Sequence, residues 1–295
     1  MKFDSYHPMI NFIYFTAAIV CMVQFDHPAF LAISFLSMFV FSVKLNGLRS
    51  LIFNLCLLPL IAAYTAWYSY YNHFGVTNLR VNLIGNQITL EAVTVGCVRG
   101  VTVAALVMTA SCILAVVSAD KVVYLFGRIS PKLSLFLSIL LRFVPRVKQR
   151  AGRIELSRRG IGKGCRQGNI LQMFLHTLGF LSILITWTLE DFVESAASMK
   201  CRGYSLKGRT AFSIYRFDNR DRGFVIALFG CLTVTVMAVA FNQTSIIYSP
   251  EIMMNRITPL SYLFYAVYAL LLLLPVLLQV LGEKHFRRLS AGMKK

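Results

Sequence analysis

The chain has 295 residues, of which 57% are hydrophobic and only 14% charged, with a mean hydropathy of +0.65. Soluble domains carry about 25% charged residues, so this composition excludes an ordinary soluble globule and points to an all-α polytopic membrane protein. The net charge of +18 is concentrated: of 30 lysines and arginines, 19 lie between Asp120 and Arg222 and five between Glu283 and Lys295. A basic block also prompts a nucleic-acid reading. In a membrane protein, inside-facing charge is the ordinary explanation, so both the central block and the C-terminus are expected in the cytosol of a plasma-membrane protein, with no nucleic-acid partner.

The first element is an apolar run from Met9 to Phe25 opened by His7-Pro8. It has no small-residue cleavage site and is expected to be a retained helix. Asp26-His27-Pro28 reads as a tight outer turn, because proline disfavours helix in the residue before it. A second span follows from Ala29 to Val43. A third runs from Leu51 to about Tyr71, with Tyr68, Tyr70 and Tyr71 as an outer aromatic belt. The polar loop Asn72 to Gln87 faces out with Arg80 as its one basic residue.

A long helix is predicted from about Thr89 to Ser118, with Glu91 and Arg99 two turns apart on one face. Its small residues Ala104, Ala105, Thr109, Ala110, Ser111 and Ala115 permit close helix packing and are a candidate seat for a partner subunit. The central block then holds two long helices. Ser130-Pro131 supplies an N-cap and a proline at the first helical position. That helix runs through Leu141-Arg142-Phe143-Val144-Pro145, with a kink expected at Pro145, to Arg159. Gly160, Gly162, Gly164 and Gly168 break the pattern. The second helix runs from about Asn169 to Cys201 and is stopped by Gly203. If both crossed the membrane, a run of arginines and lysines opposed only by Glu155 would face out, against the inside-positive bias. They are therefore placed along or beneath the inner face. A fifth span is predicted from Gly223 to Phe241, an outer loop from Asn242 to Thr258 with Arg256, and a sixth span from Pro259 to Leu281 with a kink at Pro275. The basic tail from Lys284 returns to the cytosol beside anionic lipid. This gives about six spans, both termini cytoplasmic, and three regions: 1–118, 119–222 and 223–295.

The two cytosolic helices close on similar short turns, Arg158-Arg159-Gly160 and Cys201-Arg202-Gly203. An arginine carries five donors in a rigid fork and stays charged when desolvated. At a helix C-terminus it also meets favourable dipole charge, and a partner's carboxylates could hold it bidentately. Two arginines at matched helix ends, each beside a glycine, read as a force-transmitting contact. The remaining candidates are weaker. Glu190, Asp191 and Glu194 form the one acidic cluster, with Glu190 and Glu194 on one face, and leave open a membrane-bound enzyme with an inner-face carboxylate site. The five histidines are scattered without HxxxH or HExxH spacing, the seven cysteines form no CxxC, and no P-loop is present. The sequence therefore calls for no metal and no cofactor, and ATP binding is assigned to another chain. A self-sufficient carrier would need internal repeats and broken midplane helices, which the sequence does not display.

Taken in order, His7-Pro8, the helix with Arg99, Ser130-Pro131-Lys132-Leu133, Leu141 to Pro145 and the paired Arg-Gly turns resemble the transmembrane T component of energy-coupling factor transporters, the family of the cobalt-transport membrane subunit. The resemblance extends over most of the chain. Arg158 and Cys201 stand where that family commonly has alanine, while Arg159 and Arg202 match its arginines. The resemblance implies a non-catalytic subunit in which the two cytosolic helices are coupling helices. Arg158, Arg159, Gly160, Cys201, Arg202 and Gly203 would contact two ABC-type ATPase subunits. It further implies a separate small membrane subunit that binds a vitamin or transition-metal ion for uptake.

Overall fold

The computed structural model describes residues 3–72, 74–81, 87–204, 206, 215, 217–248, 253 and 258–292. These residues form nine α-helices and one two-stranded hairpin: α1 (Pro8–Gln24), α2 (Pro28–Asn46), α3 (Leu48–Tyr71), β1 (Asn78–Val81), β2 (Gln87–Thr89), α4 (Leu90–Val116), α5 (Ala119–Ile129), α6 (Pro131–Gly160), α7 (Ile170–Cys201), α8 (Asn219–Ala240) and α9 (Pro259–Gly292). The chain is an all-α polytopic membrane protein. It divides into two compact units, one from Met1–Ser118 with Tyr215–Lys295 and the other from Ala119–Ile214.

Proline and its preceding cap residue fix two helix starts in the first unit. His7 and His27 each turn a ring nitrogen onto the backbone N–H two residues on, Met9 (3.3 Å) and Ala29 (3.2 Å), ahead of a proline whose missing N–H costs the first turn nothing. Only a neutral imidazole can accept this bond. Burial lowers the His27 pKa, which keeps that cap intact near neutrality. At one end of the unit the ring of Phe3 touches Tyr14, Phe15, Phe41 and Phe224. Lys44 near the end of α2 pairs there with Glu283 of α9 at 2.8 Å, and Asn46 meets Ser111 of α4 at 3.3 Å. The start of α1, the ends of α2 and α4, the start of α8 and the cytosol-assigned end of α9 thus share one end of the bundle. At the other, the turn at Asp26 receives the Tyr248 hydroxyl at 2.7 Å, and the His27 amide donates to Thr244 at 3.1 Å.

The core of this unit is sealed by buried side chains from its six helices, among them Tyr14, Phe30, Met38, Leu57, Met108, Phe224 and Tyr268. Buried polar groups cross-link it: the Tyr14 hydroxyl donates to the Leu272 carbonyl at 2.8 Å, and Ser34 and Tyr268 share a hydrogen bond of 2.7 Å. Gly96 and Gly100 let α4 lie directly on α3. A Cβ at Gly96 would sit 3.3 Å from the Thr65 backbone, and one at Gly100 would sit 3.2 Å from Ile61.

Several expectations change. Six helices are long and apolar enough to cross a membrane, but the set is α2, α3, α4, α7, α8 and α9. The expected first span, α1, has 17 residues, at the lower end of the range for a span; it packs into the bundle through Ile10, Tyr14, Phe15 and Met22. Length and apolarity alone select α7, which the charge pattern had kept beneath the membrane. The loop after α3 contains the β1–β2 hairpin, antiparallel with Val81 opposite Gln87. Glu91 and Arg99 serve different partners: Glu91 accepts from the Thr77 amide at 3.2 Å and from its hydroxyl, while Arg99 lies 4.0 Å from Asp26. The small-residue seat on α4 is half consumed, because Ala104, Ala105 and Thr109 are buried within the unit and only Ala110 and Ala115 are fully exposed. Arg256, His73, most of the stretch from Ser205 to Arg216 and the side chains of the tail beyond Lys284 lie outside the described residues.

Candidate functional site

The second unit is built on an antiparallel pair. Phe143 of α6 stacks on Phe192 of α7 at 4.8 Å between ring centroids. Two turns further along α6, Arg150 donates to the Trp187 carbonyl at 3.0 Å and to the Asp191 carboxylate at 2.5 Å. Two turns further still, Arg158 donates to the His176 carbonyl at 3.1 Å. As α6 numbers rise, α7 numbers fall. Helix α5, a short amphipathic helix unforeseen from the sequence, packs on α6, and Ser134 donates to its Val123 carbonyl at 3.3 Å.

Each of the two long helices ends in the same backbone device. At the end of α7 the Gly203 amide donates to the Lys200 carbonyl (3.0 Å) and the Tyr204 amide to Met199 (3.2 Å). At the end of α6 the Gly162 amide donates to Arg159 (3.1 Å) and the Lys163 amide to Arg158 (2.9 Å). These are the paired bonds of a Schellman ending, which places its left-handed residue just past the helix. Gly203 has φ +75° and Gly162 has φ +73°. The two Arg-Gly motifs are therefore not equivalent. Arg202 is the C-cap of α7 and its following glycine is the left-handed one. Arg159 and Gly160 still belong to the last turn of α6, and the left-handed role falls to Gly162. The expectation of matched helix ends is corrected by that two-residue offset.

The offset has a direct consequence for substitution. Gly203→Ala forces a Cβ into a left-handed conformation and should cost about 1 kcal/mol or more. Gly160→Ala meets no atom within 4 Å and should stabilise α6 by about 0.5–1 kcal/mol. Amide hydrogen exchange of the last turns of α6 and α7 measures both; equal effects at the two glycines would contradict the assignment.

The arginines also differ in engagement. Arg158 is turned inward: besides His176 it donates to the Lys163 carbonyl at 3.2 Å, and its guanidinium lies where Gly179 leaves room, 3.1 Å from an imagined Cβ there. It ties α6 to α7. Arg159 is 57% exposed and donates to Glu155 one turn back at 3.0 Å. Glu155 also accepts from the Cys165 amide at 3.2 Å. Its carboxyl is held below the usual carboxylate range, first by the hydrogen bond from the Cys165 thiol and then by Arg159. Arg202 and Cys201 are exposed, and among the described residues the Arg202 guanidinium makes no hydrogen bond or ion pair.

Because the helices are antiparallel, Arg159 and Arg202 lie at opposite ends of the pair. Arg202 borders a cleft of about 1120 Å³ that Arg142 and Arg146 also line. The 17 residues from Arg142 to Arg159 span about 25 Å of helix. The acidic cluster is divided: Asp191 and Glu194 line this cleft but Glu190 does not, and Asp191 is taken by Arg150. The pair expected on one face, Glu190 and Glu194, is not the pair that shares the cleft. Arg142 and Arg146 received no role from the sequence, although their four-residue spacing on one helix was the available signal. Among the described residues no three His, Cys, Asp or Glu side chains gather where they could hold a metal ion. In comparisons with known proteins, no family model matches this chain and no curated protein matches it.

Proposed function

We propose that this chain is the non-catalytic coupling subunit of an ATP-driven importer of the energy-coupling factor type. Arg159 and Arg202 each dock into an ABC-type ATPase subunit on the cytosolic side of the plasma membrane. The observation that carries this reading is the placement of two exposed arginines at opposite ends of one antiparallel helix pair, on a chain whose other unit is a membrane bundle. His176, which Arg158 contacts, lies 26 residues before Arg202 on α7, about 39 Å of helix, and such a separation suits two partners, one per arginine, better than one partner gripping both. The Arg159–Glu155 pair does not block docking. It is an exposed pair at one-turn spacing, worth only a few tenths of a kcal/mol, and a carboxylate-lined groove can displace it.

In this reading ATP-driven closure of the ATPases moves α6 and α7. These in turn move a separate small membrane subunit that binds a vitamin or transition-metal ion. The termini, α5 to α7 and the basic tail face the cytosol, as the concentration of lysine and arginine supports. Tagging the chain at its native locus, solubilising membranes gently and sequencing what co-purifies tests this. Two P-loop ATPases with a small hydrophobic protein are expected. A chain that emerges alone, under conditions that preserve known complexes of this type, would overturn the reading.

A further inference from the structure

We propose that the cleft between α6 and the C-terminal end of α7 is a binding site for the headgroup of an anionic phospholipid, held mainly by Arg142 and Arg146. The two arginines stand one turn apart on α6 and open into the same cleft as Arg202. Among the described residues, none of the three guanidiniums makes a hydrogen bond or ion pair. Elsewhere on the same helix Arg150, Arg158 and Arg159 are all engaged by carbonyls or carboxylates. Of the two carboxylates lining the cleft, Asp191 is neutralised by Arg150, which leaves three guanidiniums against Glu194. Ser138, Ser195 and Ser198 add hydroxyl donors. Guanidinium forks with hydroxyls are the donor set that phosphate oxygens require.

The apolar surroundings decide between a phosphate on a lipid and one on a soluble molecule. On faces outside the cleft lining, α6 exposes Phe136 (60%) and Val144 (68%), and α7 exposes Leu189 (58%) and Val193 (70%). The cleft wall itself includes Leu135, Ile139 and Met199. A cationic notch flanked by bare apolar helix faces is the pattern of an interfacial site, where chains lie on the apolar faces and the headgroup meets the charges. A soluble phosphate ester would leave those faces uncovered. The proposal does not depend on the importer reading, because the isolated chain suffices to test it.

The experiment is native mass spectrometry of the full chain purified in a neutral detergent, with added phosphatidylglycerol or phosphatidylcholine. Phosphatidylglycerol should be retained at one per chain and phosphatidylcholine should not. R142Q/R146Q should weaken retention about thirtyfold, from about fivefold per arginine near a lipid surface. R153Q/R166Q, which removes two cleft-remote and equally exposed arginines, should leave it unchanged. A photoactivatable phosphatidylglycerol on the unsubstituted chain provides a readout independent of any variant's folding, with crosslinks expected in peptides 131–146 and 191–204. Equal retention of the two lipids, an equal loss in R153Q/R166Q, crosslinks elsewhere, competition by soluble glycerol phosphate at the same concentration, or an acidic protein in place of lipid would each overturn the proposal.

Discussion

Replacing Arg159 and Arg202 together by glutamate should yield a membrane-inserted chain that retains no ATPase and supports no uptake. Breaking a buried, hydrogen-bonded charge contact costs about 2–5 kcal/mol of affinity, and each 1.4 kcal/mol is tenfold. One lost contact therefore weakens docking by roughly thirtyfold or more, and two contacts leave no stable complex. The costs internal to the chain are smaller. An acidic residue at the end of α7 opposes the helix dipole for about 0.3–1 kcal/mol. Glutamate at 159 adds a like charge one turn from Glu155, worth a few tenths of a kcal/mol. The single variants should differ. R202E removes an arginine with no internal partner, so its effect falls on docking alone. R159E also releases Glu155 and loosens the turn through Cys165. ATPase recovered per tagged chain, together with uptake of whatever ligand the co-purified small subunit carries, provides the measurement. Normal uptake by the inserted double variant would sink the coupling role of these arginines.

Gly96→Leu should cost the membrane bundle about 1–3 kcal/mol, the usual penalty for forcing methylenes into a packed contact. The side chain would enter a space where even a Cβ lies 3.3 Å from the Thr65 backbone and 3.3 Å from Tyr68. Backbone cannot step aside as a flexible side-chain end can. Gly100 repeats the contact one turn later, the small-xxx-small spacing that brings membrane helices together. Leucines at both positions should therefore separate α3 from α4. Gly230 on α8 is the control, since a Cβ there meets nothing within 4 Å. The native cysteines report the outcome. Cys21, Cys112 and Cys231 are buried while Cys56, Cys97 and Cys201 are exposed. Maleimide should thus reach the first three at a lower temperature in Gly96→Leu than in the parent or in Gly230→Ala. Unchanged protection of Cys112, which is wholly buried on α4, would refute the close-packing argument.

The helices whose ends carry strong local chemistry were legible in the sequence. Ser130 precedes its helix as read, the starts read at about Thr89 and Asn169 fall on the N-caps, and Gly203 stops α7 because the left-handed position after a helix favours glycine. The stop of α6 was less legible, because four glycines follow in nine residues and composition alone cannot say which takes positive φ. The structure gives that role to Gly162 and leaves Gly160 helical. Helix α5 was missed because its 11 residues fall between two stronger patterns. The appearance of α7 among membrane-length helices reflects a real ambiguity: an apolar helix on a basic face satisfies a span's composition whether or not it crosses. Within the candidate site, the arginines were visible as residues, but their inequality was not. That Arg158 faces inward follows from which side of α6 meets α7. The antiparallel pairing that decides this joins residues such as Phe143 and Phe192, far apart in the chain. The burial of Ala105 is of the same kind, since a small residue on a membrane helix fits an internal contact as well as an external one.

The ties between α6 and α7 are unevenly distributed along their length. Arg150 and Arg158 fasten one half through two carbonyls and a carboxylate, while the half ending at Arg202 borders an open cleft. Such a pair has the mechanics of tweezers. A push at the fastened end, where Arg159 sits, carries both arms as one handle. A push at Arg202 spreads or closes the jaws. Two identical strokes applied to the two arginines would thus produce different displacements, a translation from one and a change of gape from the other.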